Sequence, residues 1–145
     1  MKLFKLYVIV GFILLMIGIV FDFGFVRTTD NFIRYGESGS LGYTWKIQVF
    51  NLIRFYLIIL GVLNIAFALF IRKASEVGKL AWAVFWSLES GGIVLFTGSI
   101  WSSYILPCVA FTVSAPYYLE FTGLSLILLS IILEVYQIIS DELTD

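Results

Sequence analysis

The sequence predicts an all-α integral membrane protein, a bundle of four transmembrane helices. Three observations point there. Of the 145 residues, 61% are hydrophobic, 18% aromatic and only 13% charged, with a mean hydropathy of +1.02. A soluble domain of this size needs roughly a quarter of its residues charged to cover its surface. The apolar residues also gather into four runs, each able to supply the ~20 helical residues that cross a bilayer. Connections are short, so the length leaves too little for a separate soluble catalytic domain. The whole chain, 1–145, reads as a single transmembrane domain.

The first run extends from Leu6 to about Val26, behind Lys2 and Lys5. It resembles a signal peptide in its flanks, but it ends in Phe21, Asp22, Phe23 and Gly24 rather than a small-x-small cleavage site, so a retained helix is expected. The second run covers about 50–71, between Lys46 and the pair Arg72 and Lys73. The third starts at Leu80 after a polar hinge, and the fourth covers about 118–139 before the acidic tail Asp141, Glu142, Asp145. Between Glu89 and Glu120 no charge fixes the end of the third span. A frame of 80–101 is preferred, because it puts Trp82, Trp86 and Trp101 near the interfaces where indoles concentrate. Ser103 to Ala115, holding Pro107 and Pro116 at its edges, is then expected to be apolar and non-helical, covered by headgroups, the bundle or another chain.

Orientation follows from the Lys and Arg near the span ends. With four spans, Lys2, Lys5, Arg72, Lys73 and Lys79 share one side, against Arg27, Arg34 and Lys46 on the other. That bias puts both termini in the cytoplasm and places the protein in the cell membrane as a multi-pass protein. The first connection, 27–49, is then an external loop, with Gly36, Gly39 and Gly42 at its centre and Tyr35, Tyr43 and Trp45 as headgroup anchors rather than ligand contacts.

Lipid tails are as apolar as Leu, so helix association in a bilayer depends on small and polar residues. Gly11, Leu15, Gly18 and Asp22 form such a stripe in the first span, and Arg54, Ile58, Gly61, Ile65 and Ala68 in the second. Ala83, Ser87 and Gly91 repeat in the third. The fourth is clearest: Glu120, Gly123, Ile127, Ser130, Glu134, Gln137 and Asp141 recur at spacings of three and four, making a polar seam that must meet protein, within the bundle or in a partner subunit. A water-filled or ligand-lined path is the alternative.

A charge at mid-bilayer costs at least ~3 kcal/mol, so each one needs a partner or a purpose. Asp22 and Arg54 fall at similar depth on neighbouring antiparallel helices and have opposite sign; an intramembrane ion pair is expected, in preference to a catalytic Asp. Glu89 lies ~20 Å from the external interface with no Lys or Arg at its level. Asn64 shares that level and can hydrogen-bond its carboxyl. Trp86, Trp82 and Phe96 share its helical face, so Glu89, Asn64, Trp86, Trp82 and Phe96 form a candidate site for a lipophilic ligand; a plain helix-to-helix hydrogen bond between Glu89 and Asn64 is the preferred reading.

Other chemistry is excluded by composition. The absence of His and the single Cys108 remove His-ligated haem, copper or zinc, CxxC pairs and intrachain disulfides, so no cofactor or metal is expected. No P-loop, GxGxxG or HExxH motif occurs, and no nucleophile has a base. Cys108 reads as an inert buried thiol. Nine Lys and Arg against ten Asp and Glu give a net charge of −1, which argues against nucleic-acid binding.

A long first connection, then Asn51-Leu-Ile-Arg54 opening a Leu/Gly-rich span, then Ser90, Gly91 and Gly92 in the third span, resembles the small four-helix DoxX-like membrane proteins over about the middle half of the chain. That resemblance implies a subunit or companion of a membrane redox enzyme, with Arg54 and the Gly91–Gly92 pair as structural positions. The expected function is a non-catalytic integral membrane subunit of a larger assembly, such as a respiratory or oxidase-type complex, in contact with lipid and with other membrane subunits or further copies of itself. The alternative is an intramembrane binder of a lipophilic ligand, or an isomerase using Glu89. A proton-coupled carrier is a third possibility, though four spans without an inverted repeat are few for one.

Overall fold

A lipid interior offers no hydrogen-bond partner to a bare peptide group, so an apolar chain that crosses it closes its backbone bonds within each segment as helix. The computed structural model describes residues 2–27, 41–73, 78–104 and 115–142, and it is built from such helices. Helix α1 spans Lys2–Phe21 and runs on through a π-helical turn, Asp22–Val26. Helix α2 spans Leu41–Lys73, α3 spans Lys79–Tyr104 and α4 spans Ala115–Glu142. All four are long and apolar enough to cross a membrane.

Each helix outruns the apolar run that announced it. The largest difference is in the expected external loop 27–49, where Arg27 is helical and α2 already begins at Leu41. Ser103, Tyr104 and Ala115, placed by hydropathy in a non-helical segment, belong to α3 and α4. Hydropathy marks the part of a helix that lipid covers, whereas the helix continues into the headgroup layer as long as no Gly or Pro stops it. Cys108, Pro107 and the tips of the connections, with the expected anchor Tyr35, the glycines Gly36 and Gly39 and the basic Arg34, lie outside the described residues.

Packing is tightest between α3 and α4 and between α1 and α2, and lighter between α2 and α3. Glycine explains both tight seams. A Cβ on Gly11 would stand 2.9 Å from the Gly61 carbonyl oxygen, and one on Gly61 2.7 Å from Leu15 Cγ. Across α3 and α4, a Cβ on Gly123 would fall 2.6 Å from Leu95 N, and one on Gly91 2.9 Å from Gly123 O. Backbones approach this closely only where side chains are missing, and the gain is dispersion along the whole contact.

The core lies where the two pairs face each other, around Leu3, Leu60, Phe67, Val84, Phe85 and Leu88. On α4 the buried positions include Gly123, Ile127, Ser130 and Glu134, so the polar seam turns into the bundle. The opposite face carries Thr122 and Ser125, whose hydroxyls donate to the Tyr118 and Phe121 carbonyls at 2.7 and 2.8 Å. Thr97 on α3 does the same to Ile93, at 2.9 Å. A hydroxyl satisfied by its own helix can face lipid at little cost.

Candidate functional site

The polar side chains collect at three levels. At the end of the bundle away from the termini, the π turn winds about one residue wider than an α-helix, which carries Arg27 back over Asp22, five residues before it. Arg27 Nε donates to Asp22 Oδ2 at 3.1 Å, and from α2 Arg54 Nη1 donates to Asp22 Oδ1 at 2.6 Å. Arg27 also lies over the Phe23 ring, 4.5 Å from its centroid. Asp22 thus accepts from two guanidiniums, a shared ion pair that ties α1 to α2 where the sequence placed opposite charges.

At the same end, an indole and a hydroxyl tie α2, α3 and α4 together. Trp45 Nε1 donates to the Ser102 carbonyl at 2.9 Å, and Ser102 Oγ donates at 3.0 Å to Glu120 Oε1. Gly98 makes room for this arrangement, because a Cβ there would fall 2.9 Å from Glu120 Cγ. Glu120 therefore lies well away from Glu89 and serves the α3–α4 seam.

The third group is the deepest and draws one residue from each helix. Asn64 on α2 is fully buried, and its Nδ2 donates to the Leu60 carbonyl at 3.0 Å, one turn back. Glu89 on α3 presents its carboxyl to Asn64. Ten residues beyond Lys79, it sits about 15 Å along α3 at ~1.5 Å per residue. Tyr7 on α1 is fully buried with its ring edge-on to Phe85 and Phe67, at 4.8 and 6.2 Å between centroids. Phe85 lies one turn before Glu89 on α3. Glu134 on α4 is only 3% exposed. Tyr7 Oη, Asn64 Oδ1, Glu89 Oε1 and, nearer the chain ends, Gln137 Oε1 are buried without a hydrogen bond to any described residue.

Of the residues singled out in the sequence, Asn64 and Glu89 thus come together. Trp86 and Trp82 do not join them: they are 62% and 39% exposed, on the outside of α3. Phe96 is half-buried two turns away and packs against both parts of the core. The two indoles of the expected aromatic wall therefore face outward, because in lipid an indole is as well placed outside a helix as inside it, while Phe85 and Phe96 remain packed against the core. Gly123, Ser130 and Glu134 line the interior as the seam required, with Ser130 Oγ donating to the Ile127 carbonyl at 2.7 Å. Tyr7 was missed, although it continues the Gly11, Gly18, Asp22 stripe by one turn toward the N-terminus. Among the described residues no three His, Cys, Asp or Glu side chains gather where a metal could bind. On the outer face of α2 an open groove of about 530 Å³ is lined by Ala66, Leu69, Phe70 and Arg72.

Fold and site together define a multi-pass four-helix membrane protein. Comparison with protein-family models, with curated proteins and with solved structures gave no match, so the site is read from this chain's own residues.

Proposed function

We propose that the protein is a non-catalytic integral membrane subunit or accessory protein, resident in the cell membrane with both termini cytoplasmic, that packs against other transmembrane helices. The observation that carries this reading is the asymmetry of burial. The spans of α2 and α3 bury 39% of their most apolar windows, whereas α1 buries 22% and α4 only 17%. Each outer helix is covered on one face alone, and the rest is a broad apolar surface including Phe12, Phe121, Tyr118 and Tyr136. Lipid can cover such a surface, and so can the helices of a larger assembly. The polar seam of α4 no longer supports a partner, because the bundle uses it internally. A respiratory or oxidase-type assembly is the partner class that the DoxX-like resemblance adds to this proposal.

A second reading, an intramembrane small-molecule binder, is favoured by one observation: the unpaired Asn64 and Glu89 oxygens, which could accept from the polar end of a lipophilic guest. One experiment separates the two. Purification in a mild detergent, followed by mass spectrometry of what remains bound, gives a stoichiometric larger membrane protein under the first reading. A retained sterol, quinone or lipid without a protein partner would favour the second.

A further inference from the structure

The Asp22 cluster holds more positive charge than its structural task needs. Asp22 and Arg54 already balance one another and already tie α1 to α2. Arg27 adds a second cation to a pair that is neutral without it, and it arrives there only through the π turn. In a regular helix residue 27 would stand about 140° round from residue 22, out of reach of its carboxylate. π turns are rare and gather at functional sites. One that leaves a positive charge uncompensated at the end of a span calls for an anion beyond Asp22.

Geometry narrows the kind of anion. Asp22 occupies only Nε of Arg27 and one Nη of Arg54, and the other N–H groups of both guanidiniums have no acceptor among the described residues. Glu120, the other carboxylate described at this end, takes the Ser102 hydroxyl in the α3–α4 seam, and Lys46, over the Tyr104 ring at 5.8 Å, adds positive charge rather than a counterion. The cluster is open: the side chains of Arg27 and Arg54 are 62% and 37% exposed, that of Asp22 between them 16%. Arg27 is the first residue past the apolar span, which ends at Val26, so its guanidinium stands at headgroup depth. Beside it Phe23, under the Arg27 guanidinium, and Phe25, stacked on Phe21 at 5.0 Å, are exposed apolar rings. Planar guanidinium forks next to apolar rings match a phosphate with acyl chains attached. A zwitterionic headgroup would bring its own cation against the arginines, and an anionic one does not. We propose that Arg27 and Arg54, oriented by Asp22, bind the phosphodiester of an anionic phospholipid, in the leaflet away from the termini, whose acyl chains lie along Phe23 and Phe25. This proposal is independent of the subunit reading, and either can fail alone.

The full chain in phosphatidylcholine vesicles, doped with a trace of spin-labelled phosphatidylglycerol or of spin-labelled phosphatidylcholine, tests it. Electron spin resonance separates label immobilised on the protein from label in the fluid bilayer, and comparing the two lipids gives a preference. Wild type should favour phosphatidylglycerol by roughly fivefold or more, the effect of one charge at a membrane surface. Arg27→Gln leaves the Asp22–Arg54 pair in place and so should fold, while the preference falls at least about threefold. The deciding variant is Arg27→Lys, which keeps the charge but loses the planar fork, and in which the preference should fall nearly as far. Three results overturn the proposal. One is no preference in wild type. Another is an undiminished preference in Arg27→Gln or Arg27→Lys, which would reduce Arg27 to plain surface charge. The third is loss of the preference when inorganic phosphate replaces chloride at equal ionic strength, which would make a soluble phosphate group the ligand.

Discussion

Gly123 offers the sharpest perturbation of this fold, because what it would strike is backbone. In Gly123→Ala the new methyl would lie 2.6 Å from Leu95 N, 2.8 Å from Leu95 Cα and 2.8 Å from Gly91 O. Comfortable contact needs about 3.5 Å or more, so α3 and α4 must part by close to 1 Å. Overpacking of this kind costs ~1–3 kcal/mol, and the upper end applies where no side chain can turn aside. Replacing Gly by Ala within a helix returns up to ~1 kcal/mol of backbone preference. The net loss should be about 2 kcal/mol, on the order of thirty-fold in the ratio of folded to unfolded protein. Equilibrium unfolding in mixed detergent micelles measures it. Two companions control for the substitution itself. At Gly92 a Cβ meets only the end of the Leu60 side chain at 3.0 Å, and at Gly24 it meets nothing within 4 Å, so both Ala variants should stay near wild type. If Gly123→Ala proves as stable as Gly92→Ala, the close backbone contact of α3 and α4 is wrong.

Removing the Asp22 carboxylate strands two guanidiniums, whereas removing Arg54 leaves Arg27 in place; Asp22→Asn should therefore destabilise more than Arg54→Gln, and the double variant less than the sum, in a thermal-unfolding cycle. Additive losses would refute the shared pair. Spin labels at positions 130 and 134 should show low oxygen accessibility, and those at 128 and 132 lipid-like values, because α4 turns its seam inward; equal values would place the helix with another rotation. In Tyr7→Phe a buried hydroxyl without a described partner disappears, so thermal stability should hold or rise by up to about 1 kcal/mol, and a clear loss would mean that the hydroxyl is satisfied in the fold. For topology, cysteines introduced at Lys5 and Lys79 in a Cys108→Ala background should label from one side of the membrane and those at Arg27 and Tyr104 from the other; any exchange between the sets would undo the four-span arrangement.

The spans were legible because lipid and sequence share one variable, hydropathy, and a bilayer sets its length scale. The inward rotation of α4 was legible too, since Glu120, Ser130 and Glu134 have no tolerable alternative to protein contact. Rotation was hidden wherever a helix is apolar all round. Nothing in the spelling of α3 distinguishes Phe85, which is buried against Tyr7, from Trp86, which faces outward, because packing rather than solvent avoidance makes that choice. Tyr7 was obscured for the same reason: in a run of Leu, Val and Ile it reads as one more bulky residue, and its hydroxyl gains meaning only once Glu134 and Glu89 arrive from elsewhere in the chain. The π turn at Asp22–Val26 left no mark in composition, although it is what lets two arginines reach one carboxylate.

The two glycine seams join neighbours in sequence, α1 with α2 and α3 with α4, while the lighter contact of α2 with α3 joins the pairs. This ordering bears on how the chain is made. As it leaves the ribosome and enters the bilayer, each tight contact can close inside a hairpin of two consecutive spans, with no need to wait for a distant segment. The last event is then the docking of two preformed hairpins, and it is this step that gathers Tyr7 and Asn64 from the first with Glu89 and Glu134 from the second. The polar interior therefore comes into being only after α4 has been made, and until then each hairpin must keep its own half of those groups in lipid or at the water's edge.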